Sequence, residues 1–578
     1  MGFLRQHSSP SNIPLYTGLQ IQTSSNAVPI TILWGANKTA PNVIWTGGFY
    51  AVAQQTQGGS GGGKGGGGSQ VQGYNYFTGF IMGVCEGPIV NPGLIWVGNS
   101  RNYFNQVGID FATYGGTPQS PWGYLSSYGQ QSLGYNGLFY FASANYALGS
   151  SPNLPQFSLE VRGPLAGSSG INNEDADPAL LIQDFLTNAQ YGVLFPAASI
   201  DATTLLASTK SSTVTITIAS PGVVTWTAHG LANGQAVAFS TTGALPTGLT
   251  AGSVYYVVAA ATNTFEVAAI VGGTPINTSG SQSGVHTAKI VGSSYQAYCK
   301  ASYLAMSPVL ANQEAANSIL SRWLKLTNSA AVWSGGKLKF IPYGDTPITG
   351  HLSYPSGSYS FNPNVTPLYN LADDDFVHED GKDPLEVVRS DPYASYNWQR
   401  LQIAQRFNSQ GTTAYDSVPV AAWDQNAIEL YGLRRASDIT ANEICDPVVG
   451  QKSAQLILQR GLYIRNTYNF KLSFEYCLLE PMDLVTVTDT GLGLTNVAIR
   501  IVAIEEDDAG LLSVTAEEFP GGTATAVQYP VQGNGGNSTN QAVVPARVNT
   551  PIIYEPPAAL TGGVAQVQAA VSGGIASV

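Results

Sequence analysis

From Ser211 to Ala288 the chain carries one charged residue, Glu266. Within that stretch the runs "VTITI", "AVAFS", "SVYYVV" and "TFEVAAI" are separated by Gly, Pro and Asn. Short runs rich in β-branched and aromatic residues, closed off by turn formers, are strands, and the stretch has no helical period. It therefore has to fold as β-structure. Charge returns at Lys210 and Lys289, so residues 209–292 are read as an all-β module inserted into a parent domain.

Similar patterning continues outside the insert. Charged residues make up 10% of the 578, while there are 65 Gly and 33 Pro. An average soluble chain has about 25% charged residues, so this surface is polar but largely uncharged. The fold class expected is mainly β with α+β portions, in several domains. The divisions are 1–112, a β domain; 113–208 with 293–340, an α+β domain; 209–292, the insert; 341–425, a second β domain; 426–520, a helix plus antiparallel sheet; and 521–578, a Gly-, Asn- and Pro-rich linker toward a C-terminal region.

Several elements can be located. "NAVPITILWGANKTAPNVIWTGGFY" (26–50) reads as two strands about a Gly-Ala-Asn-Lys turn, and "YNYFTGFIMGVCEGPI" and "GLIWVGNS" as two more. "DPALLIQDFLTNAQYG" (177–192) is a helix with Asp177 as N-cap and Pro178 in its first turn. "ANQEAANSILSRWLKL" is a second helix, with Ala315, Ile319, Leu320, Trp323 and Leu324 inward. A short helix is expected from "DPLEVVRSD" and a longer one over 447–463, with Gly450 weakening its first turn. "TYNFKLSFEY" alternates as one strand, and "DLVTVTD", "VAIRIVAI" and "LLSVTAEEF" continue an antiparallel sheet.

Chemistry is sparse. "GGSGGGKGGGGS" (58–69) meets the phosphate-loop spacing at Gly58, Gly63 and Lys64, but Gly65 stands where a metal-binding hydroxyl is needed. It reads as a loop between strands. Cys85, Cys299, Cys445 and Cys477 have no metal-ligand spacing and read as buried thiols. His7, His229, His286, His351 and His378 lie far apart, and no GxSxG elbow nominates a serine. The cluster "DDDFVHEDGKD" (373–383) departs from a calcium loop, since three adjacent aspartates cannot face one ion, and it reads as a solvated turn. No catalytic, cofactor-binding or metal-binding residue is assigned. Trp226, Tyr255, Tyr256 and Phe265 of the insert would offer stacking faces to a sugar, or else form its core. The N-terminus lacks a signal-peptide core and no window is a membrane span, so a soluble chain outside the usual export route is expected. A net charge of −12 argues against a grip on nucleic acid.

Taken in order, the strand pair "AVPITILWGANKTAPNVIW", the Gly/Lys-rich loop, "GVCEGPI" with "LIWVG", the helix "DPALLIQDFLTNAQYG" and the late "LEPMDLVTVTD" resemble the hub proteins of long-tailed bacteriophage tail tips, a group that includes lambda-type tail-tip and gene-transfer-agent hubs. The insert is similar to a small β module found in assorted phage structural proteins, and "IIYEPPAALTGGVAQVQAAVSGG" resembles the lead-in to a further C-terminal region. The resemblance implies a non-enzymatic virion component of β-barrel-like domains, assembled in the host cytoplasm as a homotrimer at the distal end of the tail. It would close the tail tube and open for genome ejection. The implied partners are the distal tail and other baseplate proteins, the C-terminus of the tape-measure protein, a central fibre and a host surface receptor, with DNA passing through unbound. Other readings are a receptor-binding adhesin using the insert, or a wall-degrading tail enzyme.

Overall fold

The computed structural model describes residues 29–524 and 552–570, apart from 56–70, 168–169, 209, 271, 355, 380, 409 and 565. His7, Asp380 and the Gly-rich stretch 58–69 lie outside the described residues. The described chain is mainly β, in several sheets and one small barrel.

The first strands are β1 (Ile32–Leu33), β2 (Ala36–Thr39), β3 (Asn42–Gln55) and β4 (Val71–Glu86). The expected Gly-Ala-Asn-Lys turn is tighter than the sequence implies. Gly35 alone makes it, at φ +65°, and the next residues already belong to β2. A Cβ there would lie 2.3 Å from Ser307 Oγ, so both conformation and space call for glycine. β3 and β4 form a long antiparallel hairpin whose last pair is Gln55 with Val71. Then come β5 (Asn91–Val97), β6 (Ser100–Tyr103), β7 (Phe111–Tyr114), β8 (Leu138–Gly149) and β9 (Phe157–Arg162). They complete two four-stranded sheets, β2-β9-β5-β6 and β3-β4-β8-β7. Phe80, Phe139, Phe141, Leu159 and Val161, from both sheets, are fully buried in one shared core.

α1 (Pro178–Thr187) starts where Asp177 caps it, Oδ1 accepting from Ala179 N at 3.0 Å, and buries Leu181, Ile182, Phe185 and Leu186. After α2 (Ala202–Leu205) the low-charge segment closes into a barrel. Its strands are β10 (Ser211–Ile216), β11 (Val223–Thr225), β12 (Ala236–Thr241), β13 (Val254–Val258), β14 (Thr264–Ala268) and β15 (His286–Val291), in the order β10-β11-β14-β13-β12-β15. The two ends of the barrel meet, with Ser211 paired to Lys289 and Ile290 N donating to Lys210 O at 3.1 Å.

The chain returns in α3 (Tyr295–Ser302), β16 (Val309–Leu310), which pairs with β1, and α4 (Ala316–Leu326). Ile319, Trp323 and Leu324 of α4 are buried, whereas Ala315 is its exposed N-cap. Trp323 packs edge-on against Trp34 (5.9 Å) and Phe185 (5.0 Å), so this core joins distant parts of the chain. Two hairpins follow, β17 (Ser329–Ser334) with β18 (Lys337–Pro342), and β19 (Ile348–Ser353) with β20 (Ser356–Phe361).

Next are β21 (Tyr369–Leu371), β22 (Leu385–Arg389), β23 (Trp398–Phe407), β24 (Thr413–Trp423), α5 (Gln425–Tyr431), β25 (Ile439–Ala441), α6 (Pro447–Tyr463), β26 (Asn466–Leu472), β27 (Leu484–Asp489), β28 (Leu494–Glu506) and β29 (Leu512–Glu518). They build the sheets β24-β23-β25 and β21-β27-β28-β29-β26-β22. Two expectations fail here. "DPLEVVRSD" is no helix: Leu385–Arg389 pairs antiparallel with β26, and the β-branched Val387 and Val388 suit that ladder better than a helix. The strand expected over 467–476 stops at Leu472. Phe474–Tyr476 is a 3-10 turn that leaves Phe474 56% exposed although Tyr476 stays buried. In α6, Gly450 has a packing role, since a Cβ would come 3.0 Å from Val420 Cγ2 and 3.1 Å from Ile403 Cγ2.

The described part of a second, small unit pairs β30 (Ile552–Tyr554) with β31 (Gln568–Ala570) inside the stretch read as linker. Among the described residues no helix is long and apolar enough to cross a membrane.

Candidate functional site

Three of the four aromatics nominated in the insert face inward. Trp226, Tyr255 and Phe265 are 4, 7 and 1% exposed and belong to the barrel core with Val237 and Val257. Successive residues of β13 point to opposite faces, so Tyr255 goes in and Tyr256 goes out. Tyr256 is half-buried, and its hydroxyl donates to Asn362 Oδ1 at 2.8 Å, anchoring the barrel beside β20.

The acidic cluster spreads into local contacts. Asp373 and Asp374 are exposed, Asp375 accepts from Ala372 N (2.7 Å) and Tyr476 Oη (2.5 Å), and Glu379 accepts from Lys382 (2.6 Å) and Lys471 (2.5 Å). Those two lysines hold the Glu379 carboxyl down to about 2. Among the described residues no group of three His, Cys, Asp or Glu side chains gathers as a metal site. His229 and His286 are buried in the barrel, where His229 Nδ1 accepts from Leu231 N at 2.9 Å and His286 contacts Thr241 and Gln282. Cys85, Cys299 and Cys445 are buried thiols, but Cys477 is exposed, because it closes the surface 3-10 turn Phe474–Tyr476 beyond the end of β26.

The structure also assembles a constellation not singled out from sequence. Asn37 and Lys38 of β2, Arg322 of α4, Tyr415 and Ser417 of β24 and Thr440 of β25 line a cleft of about 560 Å³. Lys38 Nζ sits 4.1 Å from the centre of the Trp96 ring, and burial lowers its pKa. Arg322 is held between Glu314 (2.7 Å) and Glu443 (2.5 Å).

Behind the cleft lies the buried ion pair Asp175–Arg406, with side chains 1 and 4% exposed. Ser307 Oγ donates to Asp175 Oδ1 at 2.6 Å and Asn172 Nδ2 to Asp175 Oδ2 at 2.7 Å. Arg406 Nη2 donates to Ala36 O at 2.8 Å, and Tyr415 Oη to Glu160 Oε1 at 2.8 Å. Burial alone would raise the Asp175 carboxyl, but the Arg406 charge and these hydrogen bonds hold it below the usual carboxylate range. Asp177 and Asp446 are pushed up by burial, which outweighs their partners. Burial also lowers Lys452 to about 8, while its Nζ donates to Ser302 O at 2.7 Å. The charges here are satisfied by one another and by backbone, so the network acts as a tie between β2, α3, β23 and α6. One sequence signal marked it. Asn-Glu-x-x-Asp-Pro occurs at 173–178 and again at 442–447, each time entering an Asp-capped helix, with its Glu paired to Arg162 (3.5 Å) or Arg322 (2.5 Å).

Residues 315–504 match the family model described as "Putative phage tail protein". That match, from α4 into β28 and about a third of the chain, supports a phage tail protein as its coarse identity. No curated protein matches the chain. Among solved structures it is similar to a chain of the virion of a native gene transfer agent particle, at 15% identity and TM-score 0.49 over 91% of each chain. Others are the 43 kDa tail protein of prophage MuSo2 from Shewanella oneidensis (14%, TM-score 0.25, 53% of this chain and 98% of that one) and prophage tail protein gp18 from Listeria monocytogenes EGD-e (9%, TM-score 0.21, 55% and 89%).

Proposed function

We propose that this chain is a structural hub at the distal end of a bacteriophage-type tail, closing the tube and opening for genome ejection, with no chemistry of its own. The observation that carries the reading is the phage tail family match over 315–504. The tie around Asp175 and Arg406 agrees with it, because a load-bearing subunit needs distant segments locked together. In this reading the chain assembles as a homotrimer with other baseplate proteins, and its uncharged polar surface suits such packing, since interface cores are depleted in Lys, Glu and Asp. An adhesin acting through Trp226, Tyr255 and Phe265 would have to expose rings that the barrel uses as core. Antibody labelling of intact particles in the electron microscope tests the proposal. Label confined to the distal tail tip is expected; label on the shaft or head, or absent from particles, would overturn it.

A further inference from the structure

Asn397 is 1% exposed and fastens three stretches of chain. Its Nδ2 donates to Gly432 O (2.7 Å), its Oδ1 accepts from Arg434 N (2.7 Å), its N–H donates to Arg434 O (3.0 Å) and its carbonyl accepts from Asp424 N (3.1 Å). The surface held in this way is aromatic. Trp398 and Trp423 stack at 5.0 Å and 14°, the Arg435 guanidinium lies 5.3 Å over the Trp398 ring, and Tyr393 meets Tyr431 edge-on at 5.2 Å. Yet Trp423 is 50%, Tyr393 58%, Tyr396 57% and Leu430 70% exposed.

Exposed large side chains that touch one another in one patch mark contact sites. Trp, Tyr and Arg are also the residue types that dominate binding energy at protein interfaces. The charge on the platform points to its occupant. Arg435 makes no ion pair among the described residues, in a chain of net charge −12. The tip of the β28–β29 hairpin presents the opposite pattern: Glu505 and Glu506 at the end of β28 and Asp508 in the turn are exposed and form no ion pair among the described residues, while Asp507 lies 3.8 Å from Lys471.

We infer that the aromatic platform is where one copy of this chain meets the next, Arg435 taking the acidic β28–β29 hairpin tip of the sister copy. The two surfaces differ, so the contact is head-to-tail, which closes into a ring when its rotation is a whole fraction of a turn. This rests on the homo-oligomer in the proposed function, and it adds the surface and its charge partner.

The test uses the full chain, with mass followed by light scattering over a concentration series and folding checked by circular dichroism. Trp423→Ala and Arg435→Glu are each expected to weaken self-association at least about tenfold while the fold is kept. Glu506→Arg should do the same alone. Arg435→Glu combined with Glu506→Arg should restore association, which a merely structural role would not allow. An oligomer indifferent to all three single changes overturns the platform and leaves the hub reading standing. A chain monomeric at every concentration overturns the platform and the homotrimer together, while labelling of particles still decides tail location. Binding of a cell-wall glycan that Trp423→Ala abolishes, with the oligomer intact, assigns the platform to a saccharide and also overturns the inference.

Discussion

Changing Asp175 to Asn keeps the shape of the side chain and an acceptor for Ser307 Oγ, but strands the Arg406 guanidinium, 4% exposed, without its counter-charge. Removing one partner of a buried pair costs about 3–5 kcal/mol, because the remaining charge stays out of water. Arg406→Met should cost about as much, with the further loss of the bond to Ala36 O. Removing both charges together, as Asp175→Asn with Arg406→Met, leaves no stranded ion, so the double variant should lose less than the sum by at least about 2 kcal/mol. Urea unfolding at pH 7 followed by tryptophan fluorescence is a direct assay, since Trp34 and Trp323, both fully buried, lie in the adjoining core. A Trp226→Phe background removes the tryptophan of the barrel core from the signal. The pH dependence gives a second check. The Asp175 carboxyl sits below its ordinary value in the folded chain, so its contribution is present above the unfolded pKa of about 3.9 and fades as pH falls toward the lower folded value. The gap between wild type and Asp175→Asn should therefore narrow below about pH 4. A single-variant loss under about 1 kcal/mol, or single losses that simply add, would refute the argument.

Two further outcomes follow from the same geometry. Residues 210–292 expressed alone should fold, because the barrel is closed, has its own core and brings its ends together through Ile290 N and Lys210 O at 3.1 Å; a cooperative melt and dispersed amide resonances are expected, and an unfolded spectrum would contradict this. Lys452 is a base whose folded value, about 8, lies below its unfolded value, so its charge costs stability below pH 8 and that cost disappears as pH rises toward about 10.4. Lys452→Met should be more stable than wild type by about 1–2 kcal/mol at pH 7, after allowing for the lost bond to Ser302 O, with wild type catching up between pH 8 and about 10. A stability difference that does not change with pH would dispose of it.

The amino-acid sequence was informative wherever one or two neighbouring residues carry the instruction. Asp177-Pro178 starts the helix expected there, the aspartate accepting from the backbone N–H two residues on, because capping is a contact within one turn, and the helix read over 447–463 is present as α6. Alternation along β26 placed Tyr468, Phe470 and Leu472 on the buried face. The same reasoning failed at 385–389, where a helix-like start gave way to pairing with a strand some eighty residues later, and at 474–476, where alternation continued after the ladder had ended.

Composition and period thus determined by themselves that the chain is mainly β and that its surface is sparing in charge. Only the tertiary structure decided that Asp175 meets Arg406, 231 residues away, that Trp226, Tyr255 and Phe265 of the insert turn inward while Tyr256 turns out, and that Trp398 and Trp423 stack on the surface. Local signals act over a few residues through the backbone. Which distant side chains share a place is set by packing, which no short window of sequence contains.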